Sequence, residues 1–285
     1  MMDRFFISVL GSVVLGSVAW LISSKHVASP SPTDPNVKLE LVSEQDALVP
    51  GEELVLGIRF DLQDGWHTYW MNPGDSGEAP NIEWQLPVGF RAGPIQWPYP
   101  ERLATPPFAD YGYEHQVLLI VPVRLPARLR EGQTEKIAAR VHYLICRDVC
   151  IPGQKQLALS LPVRNRAAAS PARELFAATR ARIPKPTPPN WKISAATMRD
   201  EFVLNLQTGE STSMLQFFPL HPEQIENAAS QEMTVSPGGR RLHLRKSNHL
   251  LEPIARLQGV IVLDSERAYS VDVPVSRSSQ MSTRY

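Results

Sequence analysis

The sequence predicts an all-β protein, an immunoglobulin-like antiparallel β-sandwich followed by a second, smaller β domain. Between residues 37 and 163, apolar and polar side chains alternate with a period of two, and glycine and proline separate the alternating runs. About eight short strands of this kind are typical of an immunoglobulin-like sandwich. A proline-rich segment at residues 183–190 then precedes a second series of short alternating runs.

The predicted strands of the first domain end at turn residues, of which the Pro-Gly pair at 50–51 and the Asp-Gly pair at 64–65 are the clearest. These strands span residues 37–42, 53–62, 66–70, 82–86, 90–97, 117–125, 136–146 and 154–163. Residues 98–113 contain four prolines, and a proline cannot donate a hydrogen bond to a central sheet ladder. We therefore predict a long ordered loop over this stretch.

A helix and a linker are predicted after the first domain. Ser170 followed by Pro171 is a typical helix start, because serine is a favoured N-cap and proline suits the first helical position. The pattern predicts a helix over residues 172–182. The prolines of residues 183–190 then predict an extended, semi-rigid linker.

These signals divide the chain into domains. The predicted immunoglobulin-like domain covers residues 37–165, the helix and proline-rich linker cover 166–190, and the second β-sandwich-like domain covers 191–276. The predicted strands of the second domain span residues 191–194, 202–206, 214–218, 233–236, 241–245, 260–263 and 269–275.

The amino terminus carries an export signature. Arg4 precedes an uninterrupted run of apolar or small residues at positions 5–22, and a Ser/Pro segment follows. The run is long for a cleaved signal and just long enough to span a bilayer. Residues 1–28 are therefore predicted to be either a signal peptide or an N-terminal membrane anchor. Either alternative delivers the remaining chain to an oxidising compartment, and a bacterial periplasm fits best.

Composition excludes several function classes. The chain has 29 basic and 29 acidic residues, so it lacks the basic footprint of a nucleic-acid-binding protein. It contains no Ser-centred nucleophile elbow, phosphate loop or dinucleotide fingerprint. We therefore expect no cofactor.

The only two cysteines, Cys146 and Cys150, lie at the turn of a predicted β-hairpin. This position brings two thiols within disulfide-bonding distance, and an exported pair is expected to be bonded. A disulfide that shuttles between its oxidised and reduced forms is one interpretation. A static structural disulfide is the second, although so short a loop gains little chain-entropy stabilisation. A metal contact that includes His142 is the third, although two thiolates leave a tetrahedral shell unfilled.

Four ordered motifs resemble the N-terminal periplasmic domain of the thiol:disulfide interchange protein DsbD, and in particular its ScsB-like subgroup, which is linked to copper tolerance. They are the run DGWHTYWMNPGDSG at 64–77, the run GPIQWPYPER at 93–102, the run YGYE at 111–114 and the C-x-x-x-C hairpin. The segments FFP at 217–219 and IENAA at 225–229 also resemble ScsB-like regions.

The resemblance implies an immunoglobulin-like protein-disulfide reductase component that passes electrons from a membrane-embedded DsbD/ScsB-type reductase to periplasmic thioredoxin-fold partners. The family's two redox cysteines correspond to Cys146 and Cys150. The better-known DsbD domains have five residues between these cysteines, whereas this chain has three.

The resemblance also implies aromatic shielding of the disulfide. Family members cover their cysteines with a cap loop, which residues 106–111 are expected to supply through Phe108 and Tyr111. Tyr69 and His67 occupy positions where family aromatic residues flank the cysteines. Family members continue into a membrane-spanning domain and a thioredoxin domain that this sequence lacks, so we expect a separately encoded redox partner. The alternative function is a non-catalytic β-sandwich binding or adaptor protein with a structural disulfide.

Overall fold

The computed structural model describes residues 35–277 and confirms the all-β fold class. The signal peptide or anchor predicted at residues 1–28 lies outside the described residues. Within residues 35–277, no helix is long and apolar enough to cross a membrane.

Ten antiparallel strands form the N-terminal β-sandwich. They are β1 (Val37–Ser43), β2 (Glu53–Leu62), β3 (His67–Gly74), β4 (Asn81–Gln85), β5 (Arg91–Ala92), β6 (Glu101–Thr105), β7 (Phe108–Glu114), β8 (Gln116–Arg124), β9 (Thr134–Cys146) and β10 (Cys150–Pro162). One sheet has the order β1-β2-β8-β5. The other has the order β10-β9-β3-β7-β6, with β4 paired to the middle of β9.

The two-residue alternation explains how these sheets pack. Along β9, Ile137, Ala139, Val141 and Ile145 are fully buried and point into the space between the sheets. The residues between them face the other side of the sheet, because successive side chains of a strand point in opposite directions. Cys146 therefore lies on the outer face, directly after the last core residue of β9.

The prediction of a loop over residues 98–113 is wrong for most of this stretch. The stretch forms the β6–β7 hairpin, and β7 also pairs with β3. The prolines do not interrupt the ladders. Pro98 and Pro100 precede β6, while Pro106 and Pro107 form the turn between the two strands. The strand predicted at 90–97 is also shorter than expected, since only Arg91–Ala92 pairs as a strand.

One helix, α1 (Arg173–Ala181), follows the sandwich. It begins later than predicted. Ser170 accepts a bond from the Ala172 amide through Oγ and from the Arg173 amide through its carbonyl, so it closes a turn that precedes the helix. Phe176 of α1 is fully buried against β8, and this contact attaches the helix to the outside of the first sheet.

Eight further strands form a C-terminal sheet. They are β11 (Lys185–Pro186), β12 (Lys192–Thr197), β13 (Glu201–Gln207), β14 (Leu215–Pro219), β15 (Glu232–Ser236), β16 (Gly239–Arg245), β17 (Arg256–Leu263) and β18 (Arg267–Arg277). The order is β14-β17-β18-β12-β13-β16-β15, and β11 pairs with β18. The sheet folds over its own core, in which Leu204, Phe217 and Ile261 are buried.

The N-terminal sandwich and the C-terminal sheet share apolar packing. Phe218 of β14 is buried in the core of the sandwich, where it meets Trp70 edge-on at 6.4 Å and Tyr111 edge-on at 5.2 Å. Val260 and Val262 of β17 join the same core. Period-two alternation on β14 accounts for this arrangement, because it turns Phe217 into the C-terminal core and Phe218 into the sandwich.

We expect Phe218→Ala to lower the free energy of unfolding by about 3–5 kcal/mol, because it removes a buried aromatic ring that both parts share. Equilibrium urea unfolding measures this change. Val235→Ala is the control, because Val235 is 72% exposed and its truncation should change stability by no more than about 0.5 kcal/mol. Two separate transitions, only one of them affected by Phe218→Ala, would contradict a shared core.

Candidate functional site

The two cysteines form a disulfide across the tight turn between β9 and β10. Cys146 and Cys150 are paired in register, with a bond of 2.05 Å between the sulfur atoms and 4.1 Å between the Cα atoms. The three turn residues are exposed, and the Arg147 amide donates to the Val149 carbonyl. The 13-residue strands on either side hold the pair in place, so the disulfide sits at the end of a long, regular hairpin.

The two sulfur-bearing residues differ sharply in exposure. Cys146 is only 3% exposed, whereas Cys150 is exposed. Val149, between them, is also largely exposed. A nucleophile that approaches from solvent therefore meets Cys150 first, because access decides which sulfur of a disulfide is attacked.

Tyr69 of β3 covers Cys146. Its side chain is completely buried, and its hydroxyl donates a hydrogen bond to Cys146 Sγ at 2.8 Å. The same oxygen lies 3.8 Å from Cys150 Sγ. Burial raises the pKa of Tyr69, so the phenol keeps its proton at neutral pH and remains a donor toward the sulfur.

His67 lies beside Tyr69 and directly opposite Cys146 in the β3–β9 register. The two rings meet edge-on at 5.3 Å. Burial lowers the pKa of His67, and the charges of Asp110 and Glu114 oppose that shift only in part. The imidazole is therefore mainly neutral at pH 7, and it contributes bulk rather than positive charge next to the disulfide.

Asp110 of β7 is a buried carboxylate on the same face. Burial raises its pKa, and hydrogen bonds from Ser76 partly offset this effect. The Ser76 amide donates to Asp110 Oδ1 at 2.9 Å, and the Ser76 hydroxyl also donates to the carboxylate. These bonds attach residues 74–77, which we call the covering loop, to β7.

The covering loop lies over Tyr69. A Cβ atom placed on Gly77 would lie 2.1 Å from Cζ of Tyr69, so only glycine allows this approach. Gly74 and Gly77 have φ values of +93° and +84°, which glycine adopts without strain. The sequence places both glycines in the run PGDSG, and this run was the signal that could have located the loop.

Of the six residues predicted for the site, four lie together: Cys146, Cys150, Tyr69 and His67. Phe108 is 53% exposed at the start of β7, next to the Pro106-Pro107 turn, and its role as a shield stays a prediction. Tyr111 faces the interior of the sandwich and packs against Phe218. Asp110, its neighbour on β7, faces the opposite side of the sheet. Asp110, Ser76 and Gly77 were not predicted as site residues.

Little positive charge is directed at the sulfur atoms. The Arg147 guanidinium donates to Asp148 at 2.9 Å and stacks over the Trp66 ring at 5.3 Å. His142, the residue considered for a metal contact, lies 3.4 Å from a carboxylate oxygen of Glu83. Across residues 35–277, no group of three or more His, Cys, Asp or Glu side chains is placed to hold a metal ion.

Comparisons with known proteins agree with this fold. Residues 38–162 match the family described as thiol:disulfide interchange protein DsbD, N-terminal, which confirms the resemblance predicted from the motifs for this part of the chain. The N-terminal periplasmic domain of ScsB from Proteus mirabilis has the same fold, with a TM-score of 0.65 and 17% identity over 86% of this chain and 95% of that structure.

Two other solved structures align far less well. The S-layer protein SbsC, domains 5–6, has a TM-score of 0.23 and 10% identity, with coverage of 86% of this chain and 100% of that structure. The periplasmic chaperone SfaE has a TM-score of 0.21 and 10% identity, with coverage of 83% and 99%. No curated protein sequence matches the chain.

The depressed pKa of His67 predicts a pH effect on stability. Because the pKa is lower in the folded protein than the ordinary value of 6.5, the contribution of His67 is fully present above pH 6.5 and is lost as the pH falls toward the folded-state pKa. We expect His67→Gln to lose less stability than the parent protein between pH 7.5 and about pH 5.

Urea unfolding of the oxidised protein at several pH values measures this difference. His249→Gln is the matched control, because that side chain is exposed in the turn between β16 and β17. An unchanged pH dependence in His67→Gln would show that His67 is not buried as a neutral ring.

Proposed function

We propose that the protein is an exported thiol–disulfide exchange module in which Cys146 and Cys150 accept and pass on reducing equivalents. The match of residues 38–162 to the DsbD N-terminal family supports the reaction class. The observation that carries the proposal is the pairing of one exposed and one buried cysteine, with a phenol that donates to the sulfur of the buried one. A purely structural disulfide has no need of this asymmetry.

The asymmetry assigns a role to each sulfur. A thiolate of a partner protein attacks Cys150 Sγ, the disulfide breaks, and Cys146 leaves as the thiolate with the electron pair. A second thiolate of the partner then attacks the partner sulfur that is bonded to Cys150, and Cys150 leaves as a thiolate. The partner ends as a disulfide and this protein as a dithiol. In the opposite direction, Cys150 attacks a partner disulfide and Cys146 resolves the intermediate.

Tyr69 is the residue that favours departure of Cys146. Its hydroxyl already points at Cys146 Sγ, so the bond strengthens when the sulfur becomes an anion. Arg147 is engaged by Asp148 and Trp66, and His67 is mainly neutral. Stabilisation of the thiolate therefore depends on a directed hydrogen bond rather than on a nearby full charge.

The proposed partners are periplasmic thioredoxin-fold proteins and a membrane-embedded reductase of the DsbD/ScsB type. The exposed Val149 beside Cys150 offers an apolar contact for such a partner. The proposed location is the periplasm, either free or tethered by the amino-terminal segment, in keeping with the apolar run at residues 5–22. The proposed reaction needs no cofactor bound to this chain, because thiol exchange moves electrons between sulfur atoms directly.

Single-cysteine variants test the function. With a thioredoxin-fold protein that lacks its resolving cysteine and carries an activated disulfide, we expect Cys146→Ala to form a mixed disulfide through the exposed Cys150. Cys150→Ala should form it at least about tenfold more slowly, because access limits attack. Non-reducing electrophoresis over time measures both rates. Each variant is the control for the other, because both lack the same disulfide.

Equal trapping by the two variants would contradict the roles assigned to the sulfurs. The absence of trapping in both, together with a reduction potential below about −300 mV, would favour the alternative of a binding protein with a structural disulfide.

A second variant tests the role of Tyr69. A hydrogen bond to a charged group contributes about 1.5–3 kcal/mol, so Tyr69→Phe should raise the pKa of the reduced Cys146 thiol by about one unit or more. A leaving thiol of higher pKa leaves more slowly, so reduction of the disulfide should slow severalfold.

The pH dependence of alkylation of the reduced protein and the rate of reduction by dithiothreitol measure these effects. Tyr113→Phe is the matched control, because it removes the buried hydroxyl bond to the Pro98 carbonyl and leaves the disulfide untouched. Equal alkylation profiles for the two variants would exclude a role for Tyr69.

A further inference from the structure

The C-terminal sheet contacts the covering loop through Asn227, which lies between β14 and β15. Asn227 is 4% exposed and donates from Nδ2 to Asp75 Oδ1 at 2.7 Å. Its Oδ1 accepts a bond from the Tyr111 hydroxyl at 2.8 Å. Both polar atoms of the side chain are thus used, one on the covering loop and one on β7.

The backbone around Asn227 is held firmly. Arg102 of β6 donates to the carbonyls of Asn227 and Ala229, at 2.9 Å and 3.2 Å. The neighbouring Glu226 amide donates to the Arg245 carbonyl, and Ile225 is buried in the C-terminal core. Asn227 therefore contacts the loop from a fixed position.

Asp75 transmits this contact to the site. Its Oδ1 accepts from Asn227 and its Oδ2 accepts from the Ala109 amide of β7 at 2.8 Å. Two residues further along the chain, Gly77 rests on the Tyr69 ring. Tyr69 in turn occupies the approach to Cys146 Sγ. The hydrogen bonds and the ring contact form a continuous path from the C-terminal sheet to the buried sulfur.

We propose that Asn227 is a positioning residue that holds the covering loop on Tyr69 and so restricts nucleophilic attack to Cys150. This role rests on the proposed function, since selective attack on one sulfur serves a protein whose disulfide exchanges with a partner thiolate. Asn227 does not touch the disulfide, and it acts through Asp75, Gly77 and Tyr69. The C-terminal sheet thereby controls the regiochemistry of a site that lies in the other part of the chain.

Sulfite is a probe that needs no partner protein. Sulfite attacks one sulfur of the oxidised protein and forms an S-sulfonate there, while the disulfide breaks and the other cysteine leaves as a thiolate. Alkylation with iodoacetamide then marks the thiolate, and mass spectrometry of the digested protein maps both products. For the parent protein we expect the S-sulfonate on Cys150 in at least about tenfold excess, because Cys146 is covered.

Asn227→Asp tests the contact, because it places a carboxylate against that of Asp75. Loss of a hydrogen bond to a charged group and the added repulsion should loosen the loop, raise the rate of sulfitolysis about tenfold and increase the share of S-sulfonate on Cys146. Combining Asn227→Asp with Asp75→Asn restores a donor and an acceptor at this contact. This swapped pair should therefore recover the parental rate and product ratio.

Tyr99→Phe is the matched control. It removes a different bond between the two parts, from the Tyr99 hydroxyl to the Ser265 carbonyl at 3.0 Å, and leaves the covering loop alone. It should keep the parental rate and product ratio. Thermal unfolding monitors whether each variant is folded, and Asn227→Ala replaces Asn227→Asp if the latter is unfolded.

A parental rate and product ratio in the folded Asn227 variant would overturn the proposal. Failure of the swapped pair to restore them, or an equal effect of Tyr99→Phe, would overturn it as well. Failure of the proposed function is a separate result: the parent protein would not exchange with a thioredoxin-fold protein, while its sulfite product ratio would still depend on Asn227.

Discussion

The insertion of Phe218 between Trp70 and Tyr111 is the contact on which the rest of the structure depends. It fills the interior of the N-terminal sandwich with a side chain from the C-terminal sheet, and Val260 and Val262 extend the same packing. Burial of apolar surface is the main stabilising term in folding, so the core of the N-terminal sandwich is incomplete without the C-terminal sheet. The position of Asn227 relative to the covering loop follows from this packing.

Strands β3 and β7 connect that core to the disulfide. Their inner faces carry Trp70 and Tyr111 toward Phe218. On the outer face, Tyr69 of β3 contacts Cys146, and Asp110 of β7 holds the covering loop through Ser76. Neighbouring residues of one strand thus serve stability and chemistry on opposite sides of a single sheet. A displacement of β3 would therefore reach the disulfide directly, because β3 pairs with β9 at Cys146 and close-packed strands do not deform independently.

The environment of the disulfide is apolar and directional rather than charged. Burial keeps Tyr69 protonated and His67 mainly neutral. It also raises the pKa of Asp110 and so disfavours the charged form of its carboxyl group. In such surroundings a hydrogen bond aimed at one sulfur discriminates between the two cysteines better than a diffuse positive charge would. The Tyr69 hydroxyl therefore gives Cys146 and Cys150 different chemical environments, and the covering loop holds Tyr69 in the position that maintains this difference.

The sequence by itself determined the β-sandwich and the cysteine hairpin, because two-residue alternation encodes which face is buried and a three-residue spacer encodes a tight turn. It also placed Tyr69 and His67 near the disulfide through the family motifs. The β6–β7 hairpin escaped prediction, since only the pairing with β3 shows that the prolines lie outside the ladders. Only the tertiary structure decided that Asn227 meets Asp75, 152 positions away, because local patterns do not encode which distant side chain lies opposite.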